Sequence, residues 1–407
     1  MKKHILIVSQ YFYPENFRVN DLAVELYNRG YEVTVLTGIP NYPKGSFFDG
    51  YGIFKKRKEN YHNVNIVRIP IVSRGSCKLR LALNYLSFVV TGYIWRIFTR
   101  LKPDYVFIYE VSPMTQALPA VSFAKKRKIP CYIYVTDLWP ESVEVVLGLK
   151  NKLVLKYLNK MVDYIYKNCD KVLTSSNSFI KKIASRDNSY NDKLIFWPQY
   201  AEGFYSKVEN RNQEIYQKYF KGDDCFKIIF AGNVGEAQNL GLLVDVAKKL
   251  KSNKIDTIKF YIVGDGRYKE ELVKKIKVES LDGYFKFIER QPAEDIKYFM
   301  FESDVALISL SKSEIFSMTI PAKTQSCLAC GIPILVSADG EVQNVVKEAN
   351  AGLCSDANDN QGLYNNIVEI SNYDKIRLSR MAENALKYSV EKFNKNKLME
   401  ELDDLFK

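Results

Sequence analysis

Histidine is almost missing. His4 and His62 are the only two in 407 residues, and neither stands near another residue of metal-ligand type, so a histidine metal centre is not expected. No Ser/His/Asp set, H-E-x-x-H or phosphate-binding G-x-x-x-x-G-K-[ST] pattern occurs, and no D-x-D ends a strand that would face a cleft. The seven cysteines are odd in number and scattered. Cys327 and Cys330 form the one C-x-x-C, and zinc would need a second pair at similar spacing. The run Cys327-Leu328-Ala329-Cys330 reads instead as small buried residues of a helix, and unpaired thiols of this kind point to a reducing cytoplasm. Long apolar runs are also missing. Residues 5–8 are too short for the apolar part of a signal segment after the basic Met1-Lys2-Lys3. The strongest membrane candidate, 81–95, falls short of the roughly 20 residues that a spanning helix needs. It contains Asn84, Ser87, Thr91 and Gly92 and is flanked by Lys78, Arg80, Arg96 and Arg100. A buried or surface-lying helix is the expectation, and Tyr85, Tyr93 and Trp95 with the basic flanks would suit a membrane interface. Low-complexity tracts and short repeats are absent.

What is present is a long, ordinary apolar content, 47% hydrophobic and 26% charged, enough for two or three domains. The net charge of +12 is spread rather than blocked. It favours anionic partners such as nucleotides, phosphorylated lipids or an acidic membrane face. A nucleic-acid role has only this charge behind it, with no binding module, and no nucleic-acid partner is expected.

Strands and helices alternate from the start. Strands are expected at 4–9, 32–37, 64–69, 105–109, 131–135, 171–174 and 194–197. Helices fall between them at 19–29, 79–100, 115–127, 154–167 and 178–184. The chain turns polar over 205–224, and a second βα series follows with strands at 226–230, 259–263, 284–288, 305–310 and 334–336. Helices of this series are expected at 240–250, 268–278 and 295–301. Beyond Gly352 the chain reads as almost wholly helical, ending in helices at 373–390 and 395–406. The pattern predicts an α/β protein of two facing, doubly wound, Rossmann-like domains, 1–203 and 204–385, with a helical segment 386–407 crossing back onto the first. A cleft between two such domains is a favoured ligand site.

Ile320-Pro321-Ala322-Lys323 running into Gly331-Ile332-Pro333 reads as loop, short helix, glycine stop and strand. Thr319 or Ala322 would cap the helix, and Lys323 would sit in its first turn. Unpaired N–H groups, the helix dipole and a lysine together suit a diphosphate. A plain strand–helix–strand unit with a solvated lysine would look the same. Ala231-Gly232-Asn233-Val234-Gly235 follows the first strand of the second series. It permits close backbone approach to a ligand but lacks the dinucleotide spacing. Gly264-Asp265-Gly266 ends the next strand as a turn, and Asp265 could line the pocket. In the first half, Gln10-Tyr11-Phe12-Tyr13-Pro14-Glu15-Asn16 with Arg18, and the Gly38–Gly45 loop containing Asn41 and Tyr42, combine aromatic faces with amides and a carboxylate. That combination suits sugar rings. Asp137-Leu138-Trp139-Pro140-Glu141-Ser142 follows another strand. Asp137 there could accept a hydrogen bond from a reacting hydroxyl, or be a plain loop aspartate.

Six of these segments in order resemble the family-four retaining glycosyltransferases of GT-B fold, in the branch that builds bacterial O-antigen, capsule and related polysaccharides. They are the 10–15 and 37–43 loops, 137–142, 231–235, 321–323 and 328–333. The N-terminal loops are most similar to transferases of N-acetylated deoxysugars such as N-acetylfucosamine. The resemblance implies a nucleotide sugar, UDP-linked, held by the second domain. Gly232, Asn233, Val234, Gly235, Gln238, Asp265, Arg290, Pro321, Ala322, Ser326 and Glu341 are the candidates there. It implies an acceptor on the first domain at Gln10, Tyr11, Tyr13, Glu15, Asn16, Arg18, Asn41, Tyr42 and Trp139, and catalysis by Asp137, Lys323 and Glu314. The acceptor would be a polyprenyl-diphosphate-linked saccharide at the inner face of the cytoplasmic membrane. No cofactor or metal is expected, because the nucleotide sugar is a substrate.

The chain departs from the family where many members carry Arg and Lys, having Asn233 and Gln238. It also departs in the paired glutamates seven residues apart, where Ser326 takes the second place and Glu314 matches the first only with an insertion. Thr136 stands where many have histidine. The diphosphate charge would then fall on Lys323 and its helix. Two other readings stay open: a sugar-nucleotide 2-epimerase of the same fold, which often uses histidine, and a non-catalytic sugar-nucleotide-binding subunit.

Overall fold

The computed structural model describes residues 2–407, so Met1 of the basic tripeptide lies outside it. The chain divides into two compact units. One runs from the N-terminus through Trp197 and includes Phe406; the other is Pro198–Leu405 with Lys407. The division therefore falls a few residues before the expected 203/204. The polar stretch after 205 belongs to the second unit, where a helical segment around Gln213–Ile215 and Tyr216–Phe220 buries Ile215, Tyr219 and Phe220. Lys375–Lys392 is one continuous helix, and Lys395–Leu405 follows it, so no element begins at 386.

The first unit is built on eight strands: β1 His4–Val8, β2 Glu32–Thr37, β3 Lys58–Tyr61, β4 Val64–Arg68, β5 Tyr105–Glu110, β6 Cys131–Val135, β7 Lys171–Thr174 and β8 Leu194–Phe196. Their order is β3-β4-β2-β1-β5-β6-β7-β8. Every pairing is parallel except β3 with β4. Continuous apolar strands such as β1, buried along its whole length, need helices on both faces, which forces crossover connections and parallel pairing. The helix Arg18–Asn28 supplies one such cover through Val19, Leu22, Ala23 and Leu26. Phe406 packs in this unit, against Tyr105, Tyr31 and Phe107, and its carbonyl accepts from Lys3 Nζ at 2.7 Å.

The second unit has six parallel strands, β9 Phe226–Ala231, β10 Ile258–Val263, β11 Phe285–Ile288, β12 Val305–Ser309, β13 Ile334–Ser337 and β14 Gly352–Ser355, in the order β11-β10-β9-β12-β13-β14. In both sheets the strand order reverses beside the unit's first strand, between β1 and β5 and between β9 and β12. Loops leaving such neighbouring strands diverge to opposite faces and open a crevice at their carboxyl ends.

Two strands were not expected. β3 is short and polar, pairing antiparallel at an edge, where Lys58 is exposed and Glu59 accepts from the buried Arg68 at 2.6 Å. β14 holds only four residues and lies within the region read as helical. The helix expected at 79–100 runs over Lys78–Phe98, 21 residues, and contains the uncharged stretch 81–95. By length and composition alone it could cross a membrane. One face of it is covered: Asn84, Phe88 and Gly92 are buried, and a Cβ on Gly92 would come within 2.7 Å of the Pro119 ring.

Candidate active site

In the second unit the site grows from the end of β9. Gly232 has φ +142° and Gly264, after β10, has φ +143°, a region closed to ordinary side chains. Gly232 N–H donates to the Val263 carbonyl and Val234 N–H to that of Asp265, both at 2.9 Å. The two loops lie so close that a Cβ on Gly264 would sit 2.0 Å from the Gly232 carbonyl oxygen. Gly264→Ala is therefore expected to destabilise the protein by more than about 2 kcal/mol, read as a lower urea midpoint at unchanged slope.

Opposite this turn stands the helix Ala322–Cys330, with Pro321 at its N-cap and Gly331 ending it at φ +65°. No side chain caps its start. The expected cap at Thr319 is not made, because that hydroxyl donates back to the Ile315 carbonyl at 2.8 Å. The Lys323 stem is partly exposed, but its Nζ is sealed from solvent without a hydrogen-bond partner. It lies 3.6 Å from the centre of the Phe230 ring and 3.4 Å from where a Cβ on Gly232 would be. Burial pulls its ammonium down to about 8. The hydroxyls of Ser309, Ser337 and Thr324, on the ends of β12 and β13 and in the same helix turn, are also buried without partners. A buried, unpaired ammonium in the first turn of a helix is a group that an anion would satisfy.

The other donor-side candidates divide. Asn233 is exposed at the same turn. Gln238 does not reach outward but accepts from Gly235 N–H at 3.1 Å, closing its own turn. The Val234 side chain is fully buried in the core and can offer only backbone. Ser326 is buried, its hydroxyl 3.5 Å from the Ala322 carbonyl. Glu314 is exposed in the first turn of the helix Glu314–Ser317. Glu341 opens the helix Glu341–Glu348. Their loops touch, since a Cβ on Gly340 would lie 2.0 Å from the Ser317 carbonyl oxygen. Asp265 accepts from its neighbour Gly266 N–H. Arg290 is exposed beyond the edge strand β11, two strands from β9. The C-x-x-C thiols belong to helix packing, with Cys327 in the core and both pushed up to about 12, chiefly by burial. Among the described residues no cluster of three His, Cys, Asp or Glu could hold a metal.

In the first unit the reversal between β1 and β5 gathers a second set. Tyr11 stacks on Phe17 at 5.3 Å, and both rings meet Tyr42. Arg74 donates to the Tyr11 hydroxyl at 3.2 Å and lies over the Tyr42 ring. Tyr85 lies within electrostatic range of Arg74 and Asp137, and burial raises its hydroxyl above the ordinary tyrosine value. Trp139 Nε1 donates to Ser112 Oγ at 3.1 Å. Asp137 is hydrogen-bonded by Ser142, and its backbone N–H donates to Glu110 Oε2 at 3.3 Å. Burial raises the Asp137 carboxyl, and the donors Ser142, Ser112 and Trp139 partly offset this. Glu110 ends β5 fully buried, with Oε1 unpartnered. Burial first, and the Asp137 charge second, hold it well above the carboxylate range.

Arg74, Tyr85, Ser112 and Glu110 were missed as site residues. Glu110 carried a readable signal, an acid at the carboxyl end of a strand like Asp137. Arg74 carried none, because it lies in a stretch with no regular element.

Several acceptor-side candidates turn out to hold loops. Glu15 accepts the N–H groups of Asn41 and Tyr42 at 2.7 and 2.6 Å. Asn41 is buried and ties Ile39 to Arg74. Gln10 is buried against Asn84 and Gln116. Tyr13 stacks on Tyr61 at 4.1 Å. Asn16 is exposed, and Arg18 is half-buried at the start of the Arg18–Asn28 helix.

Residues 17–199 match the model for glycosyltransferase family 4, and residues 211–388 that for glycosyl transferases group 1. The chain belongs to the glycosyltransferases. The chain is 24% identical over 322 residues, 76% of each chain, to "Putative colanic acid biosynthesis glycosyl transferase WcaI" of Escherichia coli K12. The glycosyltransferase also superposes on sucrose-phosphate synthase from Thermosynechococcus elongatus, with TM-score 0.76 at 13% identity, over 100% of this chain and 98% of the other. Anabaena HepE, solved with UDP and glucose, gives 0.70 at 14% identity over 99% of each. At such identities these likenesses establish the GT-B fold, two Rossmann-like parallel-sheet units.

Glu15 of this glycosyltransferase offers a pH test of its loop clamp. Burial outweighs its two backbone donors and raises its carboxyl from 4.5 to about 7. Between those values the folded protein keeps a proton that the unfolded chain has lost. The stabilisation is therefore complete below about 4.5 and is lost as the pH rises through 7, by roughly 3 kcal/mol at most. Glu15→Gln should remove this part of the pH slope in denaturant titrations between pH 4.5 and 7.

Proposed function

We propose that the chain moves a sugar, an N-acetylated deoxyhexose, from its UDP conjugate to a polyprenyl-diphosphate-linked saccharide. The transfer retains anomeric configuration and serves assembly of a surface polysaccharide of the O-antigen or capsule kind. The name of the Escherichia coli relative supports the polysaccharide setting, and the UDP and glucose in the Anabaena neighbour support the nucleotide. The observation that carries the donor half is the sealed, unpartnered Lys323 ammonium at an uncapped helix start beside Gly232.

In this reading the diphosphate takes the position between the Gly232 turn and the helix Ala322–Cys330. As the glycosidic bond breaks, charge builds on the leaving phosphate oxygen. Lys323 and the helix N–H groups stabilise that charge in a water-poor setting, where it counts most. The acceptor hydroxyl then attacks from the face that the phosphate leaves and passes its proton to the departing phosphate oxygen as the new glycosidic bond forms, so no enzyme nucleophile is required. Glu341 and Glu314, on touching loops, take the ribose and sugar hydroxyls. Asp137, Trp139, Tyr11 and Tyr42 position the acceptor saccharide, with Arg74 facing its phosphate. Positive charge from this chain's own residues stands where a metal would otherwise be needed.

The test is a thermal-shift screen with UDP, GDP, dTDP and their sugars, followed by a transfer assay. UDP and its sugars should raise the melting temperature most. Stabilisation by no nucleoside diphosphate would overturn the donor reading, and an epimer formed from the UDP sugar without any acceptor would replace transfer by epimerisation.

A further inference from the structure

The helix Lys78–Phe98 has two apolar faces, and the fold covers one. Asn84, Phe88 and Gly92 face inward. Leu79, Leu83, Leu86, Val90, Ile94 and Ile97 recur every three or four residues along the opposite side, and each is 43–70% exposed. That is one continuous stripe over the length of the helix. The helix Lys152–Asn168 extends it. Both helices pack on Ala117–Arg127, through Trp95 against Phe123 and through Lys125 to Asn168 at 3.2 Å, and Tyr93 lies within electrostatic reach of Tyr164. On this second helix Leu153 and Tyr157 are 69% and 72% exposed. So large an uncovered apolar surface on one side of a unit marks an interaction site.

Charge selects the partner. The helix Lys78–Phe98 has no acidic residue, and Lys78, Arg80, Arg96 and Arg100 flank its ends. Arg127 joins the far end by donating to the Thr99 carbonyl at 3.2 Å. Lys152, Lys156 and Lys160 are exposed along the neighbouring helix. The only acid in either helix, Asp163, is paired with Arg186 at 2.8 Å. Two copies of this face would bring like charges together, whereas an anionic bilayer offers the opposite sign and an apolar interior. Spanning is disfavoured because the inward face is committed: Asn84 exchanges hydrogen bonds with Gln10 and the Val72 carbonyl at 2.7 and 2.6 Å.

We propose that this face lies flat at the headgroup–acyl boundary of an anionic bilayer, with the apolar stripe inserted and the basic residues on lipid phosphates. The same Asn84 contacts hold the helix directly behind Gln10 and Asn41, and Val72 N–H is bound by Ser87 at 2.9 Å. The docked helix would thus hold the Tyr11, Tyr42 and Arg74 loops at the membrane surface, where a lipid-borne acceptor presents its phosphate. This last point rests on the acceptor reading above.

The test is co-sedimentation of the full chain with vesicles of phosphatidylglycerol and phosphatidylethanolamine, against neutral phosphatidylcholine vesicles. Binding to the anionic vesicles that weakens in high salt is expected. The double substitution Leu86→Glu and Ile94→Glu should weaken it by at least about 30-fold. Arg80→Ala with Arg100→Ala should cost roughly 5-fold per charge and flatten the salt dependence. Melting temperature and UDP stabilisation should stay unchanged in both double variants. Wild-type protein left in the supernatant, or a glutamate variant that binds like wild type, would overturn the proposal. So would a dimer that needs Leu86 and Ile94 and forms without vesicle binding, which would assign the face to a second copy. UDP stabilisation without vesicle binding sinks the docking alone, and vesicle binding without UDP stabilisation sinks the donor reading alone.

Discussion

Lys323→Met is expected to lower sugar transfer by about 100- to 1,000-fold, the usual cost of removing one preorganised charge stabiliser, while leaving the free protein at least as stable as before. The reason lies in what surrounds the ammonium. It is buried, has no hydrogen-bond partner and has only the Phe230 ring at 3.6 Å to lean on. It also sits in the first turn of a helix, whose partial positive charge opposes it. In the free protein this is a standing cost. Burial lowers the amine from 10.5 to about 8. Below pH 8 the penalty is present in full. Between 8 and 10.5 the unfolded chain holds a proton that the folded protein lacks, so stability from this group rises with pH. The stability advantage of the methionine variant should shrink across that window.

UDP affinity should run the other way, falling above pH 8 as the free ammonium loses its proton. Near pH 8 to 9 binding should take up a proton, because the diphosphate restores the charged form. Calorimetry in buffers of different ionisation enthalpy reads that proton directly. A folded methionine variant with undiminished UDP stabilisation and transfer would remove Lys323 from the site.

Glu110→Gln is expected to leave stability within about 1 kcal/mol of wild type, whereas Glu110→Ala should cost roughly 2–4 kcal/mol. Glu110 is fully buried beside Asp137, and both burial and that neighbouring charge disfavour its ionised form. A protonated carboxyl and an amide have the same shape and are both neutral, so glutamine fills the place and alanine leaves a hole. Asp137→Asn keeps the shape but loses the charge that would face an acceptor. It should lower transfer by about 100-fold or more at little cost in stability. Urea titrations and steady-state rates on these three variants separate the two acids. Equal destabilisation by Gln and Ala at position 110 would mean that the buried carboxyl is ionised, and would reverse the roles given to the pair.

Much of this was legible in one dimension because its physics is local. Runs such as His4–Val8 and Cys131–Val135 are apolar on both faces, which requires helices between parallel strands, and the observed elements follow that alternation. Strands β3 and β14 escaped because four residues with polar or small side chains carry no period. The segment around Lys323 was readable because proline and glycine punctuate it and the lysine falls within one turn of the start.

The polar loop residues were harder. Gln238, Glu15 and Asn41 have the chemistry of ligand contacts, but buried or folded-back loops must satisfy their own N–H and carbonyl groups, and these side chains do so. Nothing local distinguishes an amide that closes a turn from one that waits for a substrate.

Thus the sequence alone determined the alternating architecture, the glycosyltransferase resemblance and the lysine in the first turn of the helix Ala322–Cys330, each set by residues within a few positions of one another. Only the tertiary structure brought Tyr11, Arg74, Tyr85, Glu110 and Asp137 together and left one side of the helix Lys78–Phe98 uncovered. Which groups meet, and which faces stay bare, depends on sheet order and on helix neighbours far apart in the chain, and no periodicity encodes that.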